Sequence, residues 1–404
     1  MSVARPTLGR WGSRPVLHSH RYHREDGTRR WLRGGGDVKF RCDRDAFSEA
    51  LQTVQRGVSA RPGIPALTGV LLEAAEGGTL TLTTTDLEVS ARLGTAVQVQ
   101  EAGVALVPAR LLADTVKSLA DAPVDVEADQ GQLRIRSAAF EGVLRLLPAE
   151  DFPRVQDPTG IRIVLGAGGF AEAVGQVVRA ASRDEARPVL TGVLVEASRE
   201  GVTLVATDSY RLAIRELVAT SEGEARAIVP ERAISEAGRA AAGDEKAEVE
   251  VFLDEAQASF RVGGLTLTSR LIEGEFPNYR QLVPEGYENR LTASRQQLMD
   301  AVRRVGLLAR DSSPVRMEFN ALGVRLSSSS PDLGQAVETV EARYEGEDLT
   351  IAFNPTYLAD GLAAVTGETV RLEVRDGLKP GVIRGEGGGF VYLVMPVRLP
   401  APVG

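Results

Sequence analysis

The chain has 404 residues, 43% hydrophobic and 25% charged, the proportions of an ordinary globular protein of two or three domains. No apolar run reaches the roughly 18 residues that cross a bilayer and no signal segment opens the chain, so a cytoplasmic protein is expected. The single cysteine, Cys42, excludes an internal disulfide and a thiolate metal cluster, and it fits a reducing compartment.

The first 37 residues stand apart. They hold all three histidines (His18, His20, His23), both tryptophans (Trp11, Trp31), eight arginines and three acids. The remainder has 39 basic and 52 acidic side chains, a net charge of −13, and no histidine, which argues against histidine-based catalysis. Residues 1–37 lack helical periodicity and run into Gly34, Gly35 and Gly36. Composition favours a disordered or artefactual leader over a basic nucleic-acid-binding arm or a targeting signal.

A regular pattern begins at Val38. Val38-Lys39-Phe40 reads as a short strand, and an amphipathic helix follows with Phe47, Leu51, Val54 and Val58 on one face. The design returns at 162–181 with Phe170, Val174, Val177 and Ala181, and at 290–308 with Leu298, Val302 and Val305. Leu67-Thr68-Gly69-Val70-Leu71 recurs as Leu190-Thr191-Gly192-Val193-Leu194, and Thr85-Asp86-Leu87 as Thr207-Asp208-Ser209. Val107-Pro108-Ala109-Arg110 recurs as Val229-Pro230-Glu231-Arg232, with Phe353-Asn354-Pro355 in the third slot, and Asp151-Phe152-Pro153 as Glu275-Phe276-Pro277. The first two copies are 122 to 124 residues apart at these landmarks, so the chain is an internal repeat.

Within each repeat, alternation at Leu80 and Leu82, at Val249 and Val251, and at Leu265 and Leu267 marks half-buried antiparallel strands, with turns at Gly77-Gly78 and Gly263-Gly264. The expected fold is α+β, two helices on one face of antiparallel sheet, three times over. Units this long are not solenoid repeats, and each can hold its own core. A unit of this size is a ball about 35 Å across, and six such balls in a ring leave a hole of about 35 Å, wide enough for a DNA duplex.

The polar helix faces carry Arg56, Arg179, Arg183, Arg303 and Arg304 in or after the first helix of each unit. Arg110 and Lys117, like Arg232 and Arg239, are two turns apart on the second. Basic helix faces on an acidic protein suggest a positive lining that touches phosphate without reading bases. No phosphate-cradling glycine loop is present. The glycines at 385, 387, 388 and 389 read as a turn, Asp86 and Asp208 as turn or strand-end residues, and Ser327 to Ser330 as a loop without a catalytic base. No active site, metal or cofactor is expected.

Thr207-Asp208-Ser209-Tyr210-Arg211-Leu212, the run from Leu271 to Arg280 containing Gly274-Glu275-Phe276-Pro277-Asn278-Tyr279, and Val394-Met395-Pro396-Val397-Arg398-Leu399 occur in this order within the repeat. From Val38 to Leu399 the chain resembles the bacterial DNA polymerase III beta subunit, the beta sliding clamp family. The resemblance implies three clamp domains (38–158, 159–289 and 290–404, after the leader at 1–37) that make half of a six-domain ring. The ring would be a head-to-tail homodimer around double-stranded DNA, a processivity factor without an active site of its own. Its implied partners are the replicative polymerase, the clamp loader, repair polymerases and mismatch-repair proteins.

The family's peptide groove, carried over by position, would be lined by Leu190, Thr207, Ser209, Tyr210, Arg211, Leu212, Pro277, Leu282, Asn354, Tyr357, Val394, Met395, Pro396, Val397 and Arg398, with Arg211 and Arg398 facing peptide carboxylates. Ser209-Tyr210 stands where many relatives have Gly-His, and Gln281 where they often have a basic residue. Arg187-Pro188-Val189 replaces a loop that carries tyrosines in some relatives, which leaves Arg187 and Arg61 as expected DNA contacts. Leu307 and Leu308 match the third-domain side of the dimer interface, with Phe140 or Leu144 opposite; Pro400 to Gly404 extend as a tail. Two other classes remain to be weighed: a histidine-free carboxylate enzyme such as a glycosidase, and a scaffold of the same fold that does not bind DNA.

Overall fold

The computed structural model describes residues 37–58, 63–284, 286–309 and 313–398. Residues 1–36 of the leader, Arg61 and the tail Pro400 to Gly404 lie outside the described residues. Six helices occur among those described: α1 (Arg44–Val54), α2 (Ala109–Ser118), α3 (Ala167–Val177), α4 (Glu231–Ala241), α5 (Arg295–Gly306) and α6 (Pro355–Ala364). They pack in pairs, α1 on α2, α3 on α4 and α5 on α6. Local chemistry sets several starts. The Asp43 carboxylate accepts from the Ala46 amide at 2.9 Å, and the Asn354 side chain accepts from the amides of Thr356 and Tyr357 ahead of Pro355.

Each helix buries the stripe that its periodicity marks: Phe47, Leu51 and Val54 on α1, Phe170, Val174 and Val177 on α3, Leu298, Val302 and Val305 on α5. Val58 and Ala181, expected on the first two stripes, fall past the helix ends, because the chain tightens into 3-10 turns at Gln55–Gly57 and Val178–Ala180.

Among the described residues all strand pairing is antiparallel, in four sheets, and two of these run across repeats. In one nine-stranded sheet, strand Leu265–Arg270 of the second repeat pairs with Val89–Ala96 of the first, from Leu265 opposite Leu93 to Ser269 opposite Val89. In the other, Phe390–Val394 of the third repeat pairs with Arg211–Leu217 of the second, from Arg211 opposite Val394 to Arg215 opposite Phe390. Among the described residues, the five-stranded sheet of the first repeat ends in the unpaired edge Phe140–Arg145, and the four-stranded sheet of the third in the unpaired edge Gly334–Glu341.

Ser327 to Ser330, expected as a loop, are strand. They pair with Gly334 to Val337, and the Ser328 hydroxyl donates to the Val305 carbonyl at 2.7 Å, so a buried hydroxyl is satisfied inside a ladder. The glycine run does form a turn before Phe390–Val394, with Gly388 at φ +67° and Gly389 at φ +69°.

Candidate functional site

At the joint between the second and third repeats, one sheet face carries a compact apolar cluster of Leu194, Val205, Leu212, Ile214, Ile228, Phe276, Tyr279, Val382 and Leu393, separate from the main core. Pro277 and Leu282, on the segment that packs over it, are exposed. So are Tyr210 (59%) and Met395 (43%), linked by a 2.8 Å hydrogen bond from the Met395 amide to the Tyr210 carbonyl. The Val397 amide donates to the Ala352 carbonyl at 2.8 Å, which ties the last described segment to the third repeat, with Arg398 exposed beside it. The joint thus presents an apolar seam with a large, partly wet rim.

Several expected wall residues play other parts. Thr207 is buried and its hydroxyl donates to the Arg211 carbonyl at 2.7 Å, holding the turn. Asn354 caps α6. Leu190 is buried under the rim. Val394 packs in the main core on the opposite face of its strand, and the neighbour Leu393, not singled out by sequence, faces the seam.

Arg211 is only 11% exposed and does not face outward as an anion receptor. Its Nε donates to Asp208 Oδ2 at 3.0 Å and its Nη1 to Asp360 Oδ2 at 2.5 Å, while its guanidinium lies 4.5 Å from the Tyr357 ring centre. Burial alone would lower its pKa, but interactions with Tyr392, Asp360 and Asp208 outweigh that and raise it. Tyr357 in turn stacks on Tyr210, centroids 6.4 Å apart. Arg211 therefore braces an aromatic shelf. Asp208 and its counterpart Asp86 each accept from two amides of their own turn, as expected. Ser209 sits at φ +81°, where a glycine would meet no strain, and its hydroxyl accepts from Arg187 Nη1 at 3.1 Å. Arg187, expected on DNA, is thus placed at the seam, also bound to Asp184.

On the helix faces, five of the arginines expected to meet phosphate are ion-paired. Arg56 reaches Glu236 at 2.5 Å and Arg232 reaches Asp86 at 2.6 Å, both between the first and second repeats; Arg239 also holds Glu236. Arg179 reaches Asp360 at 3.3 Å between the second and third, and Arg304 pairs with Glu338. Arg110, Lys117, Arg183 and Arg303 are exposed and have no carboxylate partner among the described residues.

The two unpaired sheet edges carry exposed apolar side chains: Phe140 and Val143 on one, Val337 on the other. Leu144 is half-buried. Leu307, just after α5, is 75% exposed, Leu308 beside it is half-buried, and Leu111 is exposed on α2.

Among the described residues no cluster of His, Cys, Asp and Glu could hold a metal ion, and no helix is long and apolar enough to cross a membrane. An open cavity of about 630 Å³ on the second repeat is lined by Glu196, Glu216, Glu224, Arg226 and Arg280 among others. Burial would raise the Glu196 carboxyl, but hydrogen bonds from the Tyr279 hydroxyl and from Arg280 and Arg226 hold it below the usual range, the state of a structural ion-pair hub.

Family models of the DNA polymerase III beta subunit match the chain three times: the N-terminal domain at residues 38–156, the central domain at 165–278 and the C-terminal domain at 280–398. The beta sliding clamp of Streptomyces coelicolor is 36% identical, covering 90% of this chain and all of that one; that of a Synechocystis strain is 33% identical at the same coverage. Among solved structures, a sliding clamp from Pseudomonas aeruginosa bound to griselimycin superposes with a TM-score of 0.85 at 31% identity, and one from Bacillus subtilis with 0.86 at 27%. Each covers 90% of this chain and all of its own.

Proposed function

The chain belongs to the DNA polymerase III beta subunit family and is a DNA sliding clamp; from that premise we propose that two copies close head to tail into a six-repeat ring around duplex DNA. The observation that carries this is a joint used twice and left half-made at each end. The last strand of the second repeat's first sheet pairs with Val89–Ala96 of the first repeat, and the last strand of the third repeat with Arg211–Leu217 of the second. Their unused counterparts are the edges Phe140–Arg145 and Gly334–Glu341. A second copy satisfies both edges at once, and an exposed edge with apolar side chains calls for such a cover.

The helix ends at the joints support the same reading and give its chemistry. Arg56 and Arg179 occupy equivalent positions and reach Glu236 and Asp360, equivalent positions of the following repeat. The third member of the first set is Leu307, and the first-repeat member of the second set is Asp114, with exposed Leu111 one turn away. The joint between copies is therefore apolar where the joints within a copy are ionic, formed by Leu307 and Leu308 against Leu111, Phe140 and Leu144.

In this ring the helices line the hole, and Arg110, Lys117, Arg183 and Arg303 can meet phosphate without first leaving an ion pair, weakly and without sequence preference. The apolar seam of the second and third repeats is the peptide groove for the replicative polymerase, the loader and repair proteins, with Met395, Leu282 and the Tyr210 shelf as contacts. The griselimycin complex of the Pseudomonas relative supports a ligand-accepting surface on this fold. Weak contacts suffice because linkage to DNA is topological. The test is retention: a loaded ring stays on nicked circular DNA and runs off when the circle is cut open, and equal release from both forms refutes the ring.

A further inference from the structure

We propose that Asp360 is a positioning residue that couples DNA in the hole to peptide affinity in the groove. The inference rests on the ring and groove just described. Asp360 on α6 is shared by two arginines of the preceding repeat. Its Oδ1 accepts from Arg179, which is 54% exposed on the helix-lined side, and its Oδ2 accepts from Arg211, which is buried beneath the Tyr357 and Tyr210 shelf. One carboxylate thus joins a candidate phosphate contact to the brace of the groove.

The other joint in the chain lacks this arrangement. There Glu236 also takes the equivalent arginine, Arg56, but its second partner is Arg239 of its own helix, and the residue equivalent to Arg211 is the buried Val89. Asp86, equivalent to Asp208, is reached directly across the joint by Arg232, a position held by Thr356 in α6. The ionic link at the seam has been rerouted through the strand arginine that carries the shelf, so that only the joint bearing the candidate groove connects the two surfaces.

The direction follows from charge. While Arg179 and Arg211 share Asp360, each repels the other and each holds half the carboxylate. A phosphate that takes Arg179 leaves Asp360 to Arg211 alone, which fixes Arg211 under Tyr357 and orders the shelf. DNA in the ring then raises peptide affinity, and peptide raises DNA affinity by the same factor.

The test is the anisotropy of a fluorescein-labelled peptide with leucine and phenylalanine anchors and one aspartate, titrated with the full-length ring, with and without a short linear duplex at concentrations that saturate each variant. The expected result is about threefold tighter peptide binding with duplex. The effect persists in Lys117→Ala, which removes a phosphate contact not joined to Asp360, and vanishes in Arg179→Ala and in Asp360→Asn. Equal peptide affinity with and without duplex, both ligands being bound, overturns the coupling alone, as does a DNA response that survives Arg179→Ala. A ring that binds no peptide, or no duplex, overturns the groove or the ring reading and the coupling with it.

Discussion

Leu307 offers the sharpest test of the joint between copies, because opposite charges placed there should give opposite results. In one copy the side chain is 75% exposed, so replacing it should change the stability of the fold by no more than about 0.5 kcal/mol. In the closed ring, Leu307→Asp puts a carboxylate into an apolar contact facing Asp114. An unpaired buried charge costs about 3–5 kcal/mol, a rise in Kd of roughly 200- to 4,000-fold, and a two-copy ring contains the joint twice. Leu307→Arg instead recreates the pair that Arg56 makes with Glu236 and Arg179 with Asp360, since Asp114 is the equivalent acid, exposed and without an ion pair among the described residues. Sedimentation velocity at micromolar protein should show L307D as a folded monomer that still melts cooperatively and L307R as a dimer. The reasoning is refuted if L307D sediments as the parent does, or if L307R dissociates as fully as L307D.

Three further outcomes are expected. Met395→Ala combined with Leu190→Ala should weaken peptide binding more than about tenfold, or roughly 1.4 kcal/mol, with the dimer intact; because Leu190 is buried, a melting curve must accompany the titration, and Met395→Ala alone gives the cleaner reading. Lys117→Ala and Arg183→Ala should each reduce the slope of log affinity for duplex against log salt by about 0.9 per copy, up to about 1.8 for the two-copy ring, and a slope that does not move removes that residue from the phosphate contacts. Leu87, exposed at φ +78°, should stabilise the fold by about 1 kcal/mol when changed to glycine, while Ser209→Gly gains less because the hydrogen bond from Arg187 is lost; calorimetric melting of both variants checks the order.

Sequence reading finds what is local and periodic. The stripes of α1, α3 and α5 and the turns at Asp86 and Asp208 are written within a few residues, and the repeat is visible because these local signals recur in order. What the sequence does not reveal depends on strand pairing, on strand parity or on partners far along the chain. Ser327 to Ser330 looked like a loop because polar side chains hide a strand whose ladder partners lie beyond the next turn. Val394 and Leu393 were exchanged because a strand places neighbours on opposite faces, and a short apolar run does not reveal which parity faces the seam. Arg211 reads as a free cation until Asp360, 149 residues away, is brought beside it, and Arg56 until Glu236, 180 residues away, is.

The same distinction explains why the joints carry more information than the repeats. Within a repeat, the helix stripes and the strand alternation read from the sequence agree with the structure, because each can be satisfied in one way. Between repeats, three equivalent positions hold Arg56, Arg179 and Leu307, and only the fold shows that the first two meet acids across a joint while the third is left 75% exposed. A leucine left exposed where two counterparts are paired is not a solvated surface residue, because burying it with a second copy recovers about 1.5–3 kcal/mol that the isolated chain forgoes. An ionic contact at that place would be screened by salt, like the DNA contacts the ring must let slide. An apolar one is not, so the ring can stay closed under conditions in which its hold on DNA is loose.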